Sequence, residues 1–157
     1  MWPTHWPRTA REIAEAIDSG VAAARASAEA GVRSAADELA ALPLEQVGAV
    51  SAAIVRELLE TVHPDGLTGE DVQDVLTRCV RSASVWFPTV EVDSLVFVLT
   101  GALGVADVEE TPTRPGHTAE ASILLISDLL GTAEAPADGY IRRALDEIAR
   151  AETVEMP

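Results

Sequence analysis

The chain has 157 residues, 48% of them hydrophobic and 24% charged, a length and balance that fit one folded domain and exclude a disordered chain. Its formal charge of −15, from 26 acidic and 11 basic side chains, repels phosphate backbones and anionic lipid, so neither nucleic acid nor membrane is an expected partner. Aromatics make up only 4%; with alanine filling much of the apolar quota, an all-α fold of closely packed helices is expected over sheets that need β-branched and aromatic faces.

Every basic residue is arginine, and neither lysine nor asparagine occurs, a bias that fits the GC-rich genome of a bacterium. The negative charge is spread along the chain rather than gathered in an acidic tail, which reads as a solvated surface. Cys79 is the single cysteine, so no internal disulfide forms and a reducing, cytoplasmic location is expected. The N-terminus lacks the basic and apolar regions of a signal peptide. The longest strongly apolar stretch, Ser94 to Ala106, falls short of the roughly 20 residues a membrane helix requires.

In chain order, residues 1–8 come first. Trp2 and Trp6 each precede a proline, so this segment is expected to be an extended arm that delivers two indoles to an apolar surface. Such rings plug a groove of their own bundle or anchor on a second subunit, and they are the candidate interface residues. One long alanine-rich helix is then expected from Arg8 to Leu42, opened by a Thr9/Glu12 capping box and carrying an apolar stripe from Ile13 to Leu42 over about 50 Å. Gly20 and Gly31 are its weak points, and a kink is expected near Gly20.

A second helix spans Leu44 to Val62 and stops at His63-Pro64-Asp65-Gly66. Thr68 caps a third, with Glu70 and Asp71 in its first turn, and it runs out at Trp86-Phe87-Pro88. Asp93 is the expected cap of a fourth helix ending at Gly104, although residues 89–100 are β-branched enough to suit a strand. A long loop is expected over 107–117, then a fifth helix from Thr118 to Gly131. Pro136 opens a sixth, with Ile141, Ala144, Leu145 and Ile148 on one face. The fourth and fifth are apolar on nearly every face, more than a small bundle needs, and the excess suits a two-fold interface. The expected architecture is one domain over 1–157 built from about six helices.

Chemistry-bearing patterns are sparse. His5, His63 and His117 lie more than fifty residues apart and make no HxxxH or HExxH pair, and ExxH is absent, so no metal or cofactor site is expected. Cys79 sits on an apolar helix stripe rather than beside a histidine. The Asp65–Asp74 region lacks the EF-hand register, and Thr100–Gly104 lacks phosphate-loop spacing. No nucleophile elbow, helix-turn-helix or basic recognition helix is present. These absences leave enzymatic activity without support. The leading expectation is a non-enzymatic protein acting through protein contacts, as a homodimer or with another protein. The alternative is a small-molecule-binding bundle whose pocket is lined by Trp86, Phe87 and Phe97.

Overall fold

The computed structural model describes residues 2–105 and 115–155, with side chains to residue 150. The described residues are all-helical and contain no strand: α1 (Arg8–Arg25), α2 (Glu29–Ala40), α3 (Leu44–Val62), α4 (Gly69–Ser84), α5 (Val92–Leu103), α6 (Pro115–Ala133) and α7 (Ala137–Glu155). None of these helices is long and apolar enough to cross a membrane.

The single long N-terminal helix expected from the apolar stripe is instead two helices, and neither glycine makes the break. α1 ends in a Schellman turn: Ala28 N–H donates to Ala23 O at 2.8 Å and Ser27 N–H to Ala24 O at 3.0 Å, with Ser27 left-handed at φ 55°. The alanine stripe therefore folds onto itself as an antiparallel hairpin. Gly20 lies in mid-helix and buried, where an added Cβ would sit 2.7 Å from Ile123 Cδ1 and 3.1 Å from Ala35 Cβ. Its missing side chain lets α1 close on α2 and α6. Nor does Thr9 cap α1, because Pro7 takes the N-cap position and no side chain accepts there.

α3 has the expected bounds. α4 starts at a complete capping box, Asp71 N–H donating to Thr68 Oγ1 at 3.1 Å and Thr68 N–H to Asp71 Oδ2 at 2.9 Å. Residues 92–103 resolve as helix rather than strand, because the buried Leu95, Val98, Leu99 and Ala102 follow the helical period. Glu91 rather than Asp93 holds the N-cap, and Gly104 ends α5 left-handed at φ 72°. Of the expected 107–117 loop, residues 107–114 lie outside the described residues, and 115–117 form the first turn of α6 with Pro115 at its start. α6 runs on through Gly131 to Ala133.

α6 is the central helix, packed by α1, α2, α3, α4 and α5, while α7 closes against α1 and α3. This position explains a sequence apolar nearly all round. Nine α6 residues between Ala119 and Leu130 are buried, which removes apolar surface from water at roughly 25 cal/mol per Å². α4 is peripheral and rests on α6 and α5 alone among its closer neighbours.

Candidate functional site

The burial of α6 opens along one strip. Leu124, Ser127, Asp128, Gly131 and Thr132 recur at helical spacing and form the floor of a groove of about 610 Å³. Ser82 and Ala83 of α4, with Trp86 just after it, supply one wall; Ala24, Arg25 and Ser27, at the end of α1, supply the other. Among the described residues α4 packs closely on α6 and α5 and not on α1 or α2, and the groove lies in the space between α4 and the end of α1. Val85 stands beside it, 86% exposed.

Charge is unevenly matched here. Arg78 Nε pairs with Asp128 Oδ2 at 3.1 Å across the floor. Arg25 donates to the carbonyl of Ala135, at 2.9 Å. Arg81 lines a shallow depression that adjoins the groove at Ser82. Neither Arg25 nor Arg81 forms an ion pair among the described residues, in a chain with 26 carboxylates. Cys79 borders the groove but is buried, and burial pushes its thiol from 9.0 to about 12. It is a packing side chain without nucleophilic character at neutral pH.

A second polar cluster ties the bundle together. Arg33 on α2 reaches Glu29 at 2.7 Å and Glu120 at 3.7 Å, donates to Thr89, and lies 4.9 Å over the Phe87 ring. Burial raises the Glu120 carboxyl above its ordinary range, with Arg33 pulling the other way. His117 Nδ1 lies 3.1 Å from Glu91, which also accepts from Ser94 Oγ at 3.1 Å. These contacts link α2, α5, α6 and the segment after α4, a structural role.

The arm residues lie against their own chain. Trp6 N–H donates to Pro3 O at 3.3 Å, so the expected extended arm contains a turn. The turn stacks Trp2 on Trp6, centroids 6.0 Å apart. The Trp6 indole is 4% exposed and donates from Nε1 to Asp146 Oδ1 on α7 at 3.1 Å, while Arg142 lies 5.2 Å from the Trp2 ring. Of the three aromatics expected to share a pocket, Trp86 and Phe87 pack edge to face with centroids 5.6 Å apart, and Phe97 stands apart from the spaces they line. Trp86 lines the groove, Phe87 is fully buried beside a gap of only about 10 Å³, and half-exposed Phe97 lines neither.

His5 is exposed on the arm and His63 closes α3, its Nδ1 3.2 Å from Leu59 O. Among the described residues no three His, Cys, Asp or Glu side chains gather as a metal set. Compared with known proteins, the chain matches no family model, no curated protein and no solved structure.

Sequence reasoning missed Arg25, Arg81, Val85 and the α6 strip. Each looks ordinary in sequence; the packing of α1, α4 and α6 brings them to one groove and its adjoining depression.

Proposed function

We propose that the protein is a non-enzymatic helical module that works through protein contacts as a homodimer, and that its self-contact is the outer face of α5. One observation carries this reading: Val92, at the start of α5, is 46% exposed, Val105, just past its end, is 67% exposed, and Val96 and Phe97 between them are partly exposed. Between Ser94 and Val105 there is no charged residue. Two copies of a chain with charge −15 can meet there without burying like charges. Gly101 is exposed, with no heavy atom within 4 Å of an added Cβ, which leaves room for a second helix to cross closely.

The excess of apolar surface in α5 and α6 thus divides in two, α6 using its share inside the bundle and α5 keeping some outside. The tryptophan arm, engaged with α7, serves as an intramolecular clasp in this reading. Phe97 borders neither the groove nor the gap of about 10 Å³ beside Phe87, and that separation favours protein contact over a small-molecule pocket shared by all three aromatics in this reading.

Light scattering behind gel filtration tests the proposal. The expected result is a dimer for the native chain, a monomer of unchanged helicity for Phe97→Asp, and a retained dimer when residues 1–7 are removed. A native chain that stays monomeric at about 0.2 mM, a concentration that would populate any dimer of micromolar affinity, overturns it.

A further inference from the structure

We propose that the groove between α1, α4 and α6 is a docking site for an acidic amphipathic helix supplied by another protein. The shape argument starts on α6. Its open strip from Leu124 to Thr132 advances at intervals of three and four residues, so the floor is a helix-spaced row of mostly small side chains over about 12 Å. On α4, Cys79, Ser82 and Ala83 repeat that spacing on the facing wall, with Trp86 just past the helix end. A helix laid between them meets two helix-spaced rows of side chains and lies beside α4, where none of the other described helices but α6 and α5 packs closely. Val85 and Trp86 offer apolar surface at the mouth, with Val85 86% exposed.

Charge selects the occupant. Arg25 on one wall and Arg81 beyond the other have no carboxylate partner among the described residues. The acidic groups lining the groove and its adjoining depression are Asp128, already paired with Arg78, and Asp74. In a chain of charge −15 an incoming helix would carry its carboxylates past Arg25 on the groove wall and Arg81 in the adjoining depression, each guanidinium able to hold a carboxylate by two hydrogen bonds. A second copy docked groove to groove would bring two pairs of unpaired arginines into one interface, an arrangement that like-charge repulsion disfavours. Groove-to-groove self-association is thereby disfavoured, and the proposed occupant is a helix of another protein.

The test uses the full-length protein and three labelled synthetic helices of about 14 residues, four turns long. All share one leucine and alanine face, and their polar positions are all glutamate, all glutamine or all lysine. Fluorescence anisotropy is read at about 0.3 M NaCl, where a Debye length of about 6 Å screens remote carboxylates but leaves guanidinium contacts in place. The glutamate helix is expected to bind about tenfold more tightly than the glutamine helix, and the lysine helix not to bind. Arg25→Gln with Arg81→Gln should bring the glutamate helix to the glutamine level without changing helicity or particle mass. Gly131→Trp, which fills the groove from an exposed position, should abolish binding of both, with Phe97→Asp leaving binding intact. Failure of the glutamate helix to bind at about 1 mM, equal binding of the glutamate and glutamine helices, or a change of oligomeric state caused by the arginine substitutions would each overturn the proposal.

Discussion

Gly20 and Gly48 both lie inside helices, and only their surroundings distinguish them. An alanine removes the helix-propensity cost of about 1 kcal/mol at either position. At Gly48 nothing lies within 4 Å of the new Cβ, whereas at Gly20 it meets Ile123 and Ala35 inside the core. Crowding of that kind costs about 1–3 kcal/mol. Thermal melts should accordingly show Gly48→Ala raising Tm by about 2–4 °C and Gly20→Ala lowering it by a similar amount, at about 2–4 °C per kcal/mol for a chain of this size. Cys79 gives a second residue-level expectation. Its thiol is pushed from 9.0 to about 12 in the folded chain, so above pH 9 the unfolded chain loses a proton that the native chain keeps. Stability from this group is fully present below pH 9 and falls by about 1.4 kcal/mol per pH unit from there toward pH 12. Urea titrations at several pH values should show that alkaline decline, and Cys79→Ala should flatten it while lowering stability overall through the lost packing.

At the level of the element, three helices end in the same turn and only one announces it. α5 closes with Gly104 N–H donating to Gly101 O and Val105 N–H to Thr100 O, and the glycine makes its end legible in sequence. α6 closes the same way, Glu134 to Gly131 and Ala135 to Leu130, with Glu134 at φ 53°. α1 does so at Ser27. A left-handed residue other than glycine costs about 1–2 kcal/mol, and that cost is invisible in a stripe of alanines whose period continues straight through the break. This is why the first stripe read as one helix and the end of α6 was placed at Gly131. Conversely, α3 and the Thr68 start of α4 were legible because proline, glycine and a capping box act locally. Ser27→Gly and Glu134→Gly should each gain up to about 1 kcal/mol by releasing the left-handed strain, measured as a shift in urea midpoint at unchanged slope. Valine at position 27 should lose at least as much.

For the whole molecule, apolar periodicity made the helical class readable, whereas the candidate surfaces depend on which faces the topology covers. α5 and α6 look alike as sequences; their difference comes from α6 standing at the centre with five helices around it. The arm shows the same dependence, since Trp2 and Trp6 announce a docking event but not its address, which α7 supplies through Asp146 and Arg142. Net charge then acts on any assembly of these units. Two copies at −15 repel over distances set by the Debye length, about 10 Å at 0.1 M salt and about 3 Å at 1 M. The proposed α5 contact contains no charged side chain from Ser94 to Val105, so salt has no interfacial ion pair to weaken and acts mainly on the remote repulsion. Dimerisation should therefore tighten, by severalfold between about 0.05 and 0.5 M NaCl, when followed by sedimentation equilibrium. An interface held by ion pairs, such as one built on Arg142 or Arg143, would loosen over the same range. The sign of the salt dependence consequently separates an apolar α5 contact from a charged one.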